Sequence, residues 1–564
     1  MNQGEVHKSE VVEGEAVEDE AVEEVVEEIF TKDDMNALEP APPEESKGGD
    51  LILLFSMFLI AICALIYELV AGAVSSYLLG SSVTHFSLVI GLFLSAMGVG
   101  SYLTRFISGE LLERFVQIEL MIGLIGGSSS LLLFSAFTYA EELYMWVMVL
   151  VAGAIGVLVG MELPIIIRVL EERRGALKLN VANVMTVDYL GALAASLAFP
   201  LILVPLLGLM RTAFAFGLLN VAVAWVGIVK FRTSLQSPRA LKLSASLITL
   251  ALCAGFYTSG TLVSWMESDL YPDEVIYAKT TSFQRVVLTH WKRDTRLFLN
   301  GALQFSSVDE HRYHEALVHP AMRRAPARRD VLILGGGDGL AAREVLKYSG
   351  VRRVDLVDID PALTELFSTR PPLLELNQSS LRDPRLRLHH RDAAKFLRES
   401  DEAWDVILID LPDPESLDLG RLYSLEHFTE LSRHMRPHSV LSIQSTSPFY
   451  SRSAFWCIAQ TLAETPTLGA RGEGRLAIRP YHLHVPSFGE WGFVLASPNA
   501  ELLKTPQIPL PETRFLDEAS ERALFIFPKD LTPPKPAVKV NRLNTQPLVQ
   551  YYREGFRMFY GDRP

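Results

Sequence analysis

Two carboxylates, Asp410 and Asp413, stand three residues apart in D-L-P-D-P, directly after the apolar run V-I-L-I at Val406–Ile409. Acids at the carboxyl end of a strand suit a polycationic amine: one holds an ammonium while the other takes a proton from the attacking nitrogen. The alternative is a plain turn in which Asp and Pro have their usual roles. Upstream, V-L-I-L-G-G-G-D-G over 331–339 carries a buried-type strand into Gly335, Gly336, Gly337 and Gly339. Glycines there let the backbone turn sharply and approach a ligand, although the last falls one position short of the dinucleotide spacing. Asp358 ends the next strand, where an acid bonds ribose hydroxyls, and Asp392 follows the third. Strand, glycine loop, helix and ribose acid in that order indicate a bound nucleoside. Asp338, in the loop itself, would repel a ligand that bears a carboxylate and attract an ammonium. The loop therefore suits decarboxylated S-adenosylmethionine better than its parent; a loop acid that merely accepts backbone hydrogen bonds is the other reading.

The elements that must carry these acids alternate in a regular way. Val331–Leu334, Val354–Asp358, Arg385–Leu388, Val406–Ile409 and Val440–Ile443 are spaced as strands with helical patterns between them. That rhythm predicts an α/β, doubly wound, Rossmann-like sheet of the methyltransferase type over 328–500. Thr281–Leu303 alternates like antiparallel strands, which predicts a small N-terminal β-hairpin lobe within 266–327, over the ligand edge. Residues 501–564 form a C-terminal extension.

Ahead of this part the composition changes. Seven apolar runs between Leu51 and Trp265 are each long enough to cross a hydrocarbon core, which predicts an α-helical polytopic membrane domain over 51–265. Lys47, Arg105, Arg114, Arg168, Arg173, Arg174, Lys178, Lys230, Arg232, Arg239 and Lys242 collect on one side of these runs, so the N-terminus is expected in the cytoplasm. Seven crossings would put the remainder outside, whereas the chemistry is expected in the cytoplasm. A Leu247–Trp265 segment that dips in without crossing reconciles the two. Glu68, Glu162 and Asp188 lie within or beside the runs, where acids mark a cation path or pair with a residue such as Arg168. Residues 1–50 hold 17 acidic and 3 basic residues, the whole of the chain's net charge of −14, and read as a disordered acidic tail. The remaining 514 residues balance, which argues against nucleic-acid binding. Cys63, Cys253 and Cys457 lie far apart and form neither a disulfide framework nor a metal set.

V-D-E-H-R-Y-H-E-A-L-V-H-P (308–320), G-G-G-D-G, V-D-I-D (357–360) and D-L-P-D-P together resemble the polyamine aminopropyltransferases, the spermidine synthase family, from about Thr281 to Ala496. The multi-span segment ahead of them resembles the membrane-fused members. The resemblance implies that Gln284 contacts the nucleoside and that Tyr313 and His314 stand where the two substrates meet. It further implies that Asp338 binds the aminopropyl amine, Asp358 the ribose, and Asp392 the region of the adenine amino group. Asp410 would be the base and Asp413 would hold the polyamine. Glu490 and Trp491, in V-P-S-F-G-E-W-G-F (485–493), match the segment that closes the amine site, although Trp491 also fits plain core. Phe283, Asn300, Leu411 and Pro412 depart from the family pattern, and these departures bear on polyamine specificity.

The expected reaction moves the aminopropyl group of decarboxylated S-adenosylmethionine, a co-substrate rather than a cofactor, to putrescine, giving spermidine and methylthioadenosine. No metal is required, since the sulfonium already makes a good leaving group. The expected partners are these small molecules and the lipid bilayer of a cell membrane, with a homodimer implied by the family. Two other readings compete: a methyltransferase using S-adenosylmethionine, and a polyamine transporter or sensor whose nucleoside-binding domain does not turn over.

Overall fold

The computed structural model describes residues 44–79, 82–174, 177–467 and 474–560. Residues 1–43 of the expected acidic tail lie outside the described residues. The helical part comprises α1 (Glu44–Leu79), α2 (Ser82–Leu103), α3 (Leu111–Tyr139), α4 (Tyr144–Arg174), α5 (Leu177–Ala198), α6 (Val204–Lys230) and α7 (Pro238–Leu270). Six helices among the described residues are long and apolar enough to cross a membrane, where the sequence predicts seven runs. The difference lies in α5 and α6, which a π turn at Phe199–Leu203 joins into one 51-residue stretch, Asn180–Lys230. A straight helix of that length would span about 77 Å, more than twice a hydrocarbon core. It is not straight. At Gly208 the backbone leaves the helix, with φ 73° and ψ 171°.

Contacts fix the direction of the arms beyond that break. Gly217 abuts Gly123 and Gly127 of α3, and Gly227 faces Val116, so α6 runs antiparallel to α3. Thr249 accepts from Trp225, Gly255 abuts Phe214, and Arg211 donates to Ser259, so α7 runs antiparallel to α6. Among the described residues the bundle thus has seven arms. The expected dip of Leu247–Trp265 is absent, because α7 is one unbroken helix. Its C-terminal end, where Trp265 packs on Tyr139, is the end of the bundle away from Arg114 and Lys230.

Glu162, one of the singled-out acids, is buried against Glu119. Glu119 accepts from Asn220 Nδ2 (2.8 Å), whose Oδ1 accepts from Tyr67 Oη (3.0 Å). Arg168 is not its partner; that guanidinium donates to the Thr104 and Ile107 carbonyls at the end of α2.

The lobe before the main sheet is a four-stranded antiparallel meander, larger than the hairpin the sequence predicts: β1 (Glu274–Thr280), β2 (Arg285–Trp291), β3 (Asp294–Leu299) and β4 (Ala302–Ser306). Helix α8 (Glu310–Arg324) leads into the main sheet. There follow β5 (Asp330–Gly335), α9 (Leu340–Leu346), β6 (Arg353–Asp358), α10 (Pro361–Thr369), β7 (Leu386–His390), α11 (Ala393–Glu399), β8 (Trp404–Asp410), α12 (Leu425–Arg433), β9 (Met435–Gln444) and α13 (Arg452–Ala463). A hairpin of β10 (Ala477–Val485) and β11 (Gly489–Ser497) completes the sheet, and α14 (Pro547–Tyr560) closes the described chain.

The sheet order is β10-β11-β9-β8-β5-β6-β7, with β5 to β9 parallel and the last hairpin antiparallel. Val331, Leu332, Ile333 and Leu334 of β5 are fully buried on both faces, each worth roughly 1.5–3 kcal/mol of apolar burial. Because β5 lies between β6 and β8, the strand order reverses beside it, and the crevice at its carboxyl end is where such sheets take ligands.

Candidate active site

The glycine loop leaves β5 at that crevice. Gly335 has φ 85°, and an added Cβ would lie 2.0 Å from the Asp410 carbonyl oxygen, so this close approach to β8 excludes any side chain. Gly337 lets the loop lie on Asp358: its N–H donates to Asp358 Oδ2 (3.0 Å), and an added Cβ would fall 2.5 Å from the same oxygen. Asp358 also accepts from the Asp360 N–H (2.8 Å). Burial pushes its carboxyl up to about 6 despite those two bonds. Asp338 is buried in the loop and accepts from the Leu340 N–H (2.9 Å), so it makes the turn bond while its second oxygen stays available. Burial raises its pKa as well, with His314 opposing.

Asp410 ends β8 beside Gly335, and its Oδ1 accepts from Tyr313 Oη of α8 (2.7 Å). Burial raises the Asp410 carboxyl, against the pull of His314 and the Tyr313 hydrogen bond. His314 follows Tyr313 on the helix, and its Nδ1 bonds Glu310 Oε2 (2.8 Å). Burial alone would lower this imidazole. The Glu310 carboxylate outweighs that, aided by Asp338 and Asp410, and lifts it to about 9. Glu310 is in turn gripped by Arg343 of α9 through two bonds of 2.8 and 2.9 Å. The cleft therefore holds an imidazolium between fixed acids, not a bare negative cluster.

Asp413 lies past Pro412, within reach of Gln444 Nε2 (3.3 Å), Thr446 Oγ1 (3.2 Å) and the Tyr552 phenol. Its carboxyl is pushed up to about 6 by burial, with those three donors opposing. The loop backbone is held by Tyr423, which donates to the Pro412 carbonyl (2.9 Å), and by Gln444, which donates to that of Leu411 (2.6 Å).

Gln284 Nε2 and Thr281 Oγ1 both donate to Asp360 Oδ2 (3.0 and 2.9 Å), which ties the loop after β1 to the end of β6. Asp392 caps α11 through the Lys395 N–H (2.9 Å) and pairs with Arg421 (2.6 Å). These interactions outweigh burial and lower its carboxyl. Trp491 packs on Phe488, which packs on Tyr313. The indole Nε1 is buried with no hydrogen-bond partner among the described residues. Glu490 is not brought to the acids: alternation along β11 turns it to the opposite face, where it pairs with His482 against Phe527.

The structure thus gathers Tyr313, His314, Asp338, Asp410 and Asp413 near the carboxyl ends of β5 and β8, with Asp358 at the end of β6, Gln284 tied to it through Asp360, and Asp392 after β7. Sequence reasoning missed Glu310 and Arg343, whose pairing depends on how α8 packs on α9, and Gln444 and Thr446, whose roles depend on β9 lying beside β8. Asp360 was visible in V-D-I-D but unassigned. Nothing in the sequence pointed to Tyr552. Asn300 occupies a positive-φ turn (51°) and accepts from the Arg285 N–H (2.9 Å), which accounts for asparagine there. Phe283 is half exposed. Among the described residues no cluster of three His, Cys, Asp or Glu is arranged to hold a metal ion.

Comparison with known proteins gives a consistent picture. A model of the spermine/spermidine synthase domain matches residues 310–503. Polyamine aminopropyltransferase 1 of Ralstonia nicotianae is 45% identical over 524 residues, 92% of this chain and 98% of its own. The polyamine aminopropyltransferase of Leptospira interrogans is 45% identical over 500 residues, 89% and 97% of the respective chains. A crystal structure of spermidine synthase in complex with the transition-state analogue AdoDATO is 26% identical, covers 46% of this chain and 88% of its own, and has a TM-score of 0.41.

Proposed function

Since the chain belongs to the polyamine aminopropyltransferase family, we propose that it is a membrane-anchored enzyme that transfers the aminopropyl group of decarboxylated S-adenosylmethionine to putrescine. The acceptor nitrogen attacks the methylene next to the sulfonium, the carbon–sulfur bond breaks, and methylthioadenosine leaves with the electron pair. The attacking nitrogen, an ammonium in water, first gives up one proton to free the lone pair for this attack. Sulfonium chemistry supplies the leaving group, so the protein's work is to align two cations and take that proton.

The observation that carries this reading is the Tyr313–Asp410 hydrogen bond of 2.7 Å at the strand-order reversal, with Asp338 and Asp413 close by. In this reading Asp358, Gln284 and Asp392 hold the nucleoside. Asp338 takes the amino end of the aminopropyl group, Asp413 takes the far ammonium of the acceptor, and Asp410 takes the proton, oriented by Tyr313. The imidazolium of His314 offsets the mutual repulsion of Asp338 and Asp410, so both can stay ionised in a buried cleft.

Anchoring rests on the six apolar helices and on the large side chains they expose, among them Leu150 at 72%, Leu206 at 75% and Leu250 at 69%, which lipid would cover. Product analysis on the full-length protein in detergent, with a panel of amines and either form of the nucleotide, tests the reading. Methylthioadenosine and spermidine are expected from putrescine and decarboxylated S-adenosylmethionine only. Methyl transfer from the parent nucleotide, or amine binding without product, would contradict it.

A further inference from the structure

Strand β9 ends at Gln444, and two residues later Thr446 stands with φ 57°, in the left-handed region. A β-branched residue rarely adopts that conformation, and it persists only where the surroundings over-determine it. Thr446 is fully buried and lies beside Asp413. We propose that Thr446 is a positioning residue that, together with Gln444, fixes the Asp413 carboxylate and so sets the length of diamine the site accepts. This inference rests on the reading of Asp413 as the acid that holds the far ammonium of the acceptor.

The strained turn is held from both sides. The Thr446 N–H donates to Gln444 Oε1 (3.0 Å), and the Thr446 carbonyl accepts from the Gly492 N–H of β11 (2.8 Å). The Ser445 N–H donates back to the Gly492 carbonyl (2.9 Å). This approach is close: an added Cβ on Gly492 would fall 2.4 Å from the Phe455 ring and 2.9 Å from the Thr446 carbonyl oxygen. What the turn delivers is the direction of the side chain, whose hydroxyl donates to Asp413 Oδ2 (3.2 Å). Gln444 Nε2 reaches the other oxygen, Oδ1 (3.3 Å), and is itself fixed by the Leu411 carbonyl (2.6 Å) and Tyr423 Oη (2.8 Å).

Each oxygen of Asp413 thus has its own donor, and both donors come from the end of β9, so turning the carboxylate about its Cβ–Cγ bond breaks both bonds. Three residues earlier, Asp410 is fixed by Tyr313 (2.7 Å). With both carboxylates held, the protein sets the separation between the nitrogen at Asp410 and the ammonium at Asp413. A diamine that matches this separation presents its attacking nitrogen in line with the sulfonium carbon, and one of another length does not. Without the Thr446 hydroxyl, Asp413 Oδ2 loses its donor and the carboxylate turns. A longer chain is then accommodated, and the shorter one is held less well.

The test uses full-length protein in detergent, saturating decarboxylated S-adenosylmethionine, and titrations of putrescine and of 1,5-diaminopentane, one methylene longer. Wild type should favour putrescine; equal use of the two diamines would overturn the proposal. Thr446→Val keeps the shape of the side chain and removes only the hydroxyl. It should shrink the ratio of the two kcat/KM values about fivefold, with the nucleotide KM within about twofold of wild type. Thr446→Ser, which restores the hydroxyl, should recover most of that discrimination. Should Thr446→Val fail to fold, Thr446→Ala carries the same expectation. Equal losses for both diamines, with the ratio unchanged, would reduce the residue to packing and overturn the proposal. If Asp413→Asn raises the putrescine KM and Thr446→Val leaves the ratio as in wild type, this inference alone fails. If Asp413→Asn leaves the putrescine KM unchanged, the reading of Asp413 fails and takes the inference with it.

Discussion

His314 is a buried cation among carboxylates, and its partners set how the site answers to pH. Asp413, at about 6, takes up its proton well above the ordinary carboxylate range, because burial outweighs its three donors. In the proposed role the amine-binding form is the ionised one. The kcat/KM for putrescine should therefore fall as pH drops through about 6, where ordinary carboxylates would hold it to about 4; an acid limb near 4 in the rate profile would count against the assignment. Stability should follow a different pair. Burial would raise Glu310, yet His314 and Arg343 hold it at about 2, so its contribution is present above the unfolded value near 4.3 and is lost as pH falls toward 2. His314, lifted to about 9, contributes fully below about 6.5 and loses that contribution as pH rises through 9. Thermal unfolding of Glu310→Gln across pH should lack the alkaline decline of the wild type; an unchanged profile would refute the pairing. At this scale the acids were legible because motif order gave them away. The grip of Arg343 on Glu310 was not, because it joins α8 to α9 across 33 residues.

At the scale of elements, two glycines of one loop separate folding from binding. Gly335→Ala places a methyl group in a positive-φ position and against the Asp410 carbonyl, with no flexible neighbour to yield. A cost above about 2 kcal/mol is expected, seen as a fall of several degrees in the unfolding midpoint. Gly337→Ala has no positive φ and meets the Asp358 carboxylate, with the flexible end of Leu363 beyond it. It should raise the nucleotide KM about tenfold while the amine KM stays put; equal effects on both substrates would contradict the division of the cleft. The parallel strands were legible from their buried runs. The true sheet order was not, since the insertion of β11 between β9 and β10 is a tertiary choice that no local period encodes. Nor was the lobe's full extent: β1 shows burial alternating only over Glu274–Ala278, too weak a signal beside its exposed remainder.

For the whole molecule, the seven arms have a consequence for sidedness. Beginning beside the basic loops, an odd number of arms delivers residues 271 onward to the other end of the bundle. Single cysteines at Ser108, between α2 and α3, and at Asp401, between α11 and β8, should react with a membrane-impermeant thiol reagent from opposite faces of sealed vesicles. Labelling from one face would mean that one arm does not cross. The apolar runs themselves were plain in the sequence. What was hidden was the reversal at Gly208, because a glycine inside an apolar run looks the same whether the helix continues or turns back.

The most direct measurement is on Asp410→Asn, which keeps the shape of the side chain and removes the proposed base. Nucleotide affinity should stay within about threefold of wild type, since Asp358, Gln284 and the loop are untouched. Spermidine formation should fall by about a hundred- to ten-thousandfold. Wild-type turnover by this variant, or a loss explained entirely by lost nucleotide binding, would contradict proton transfer to Asp410.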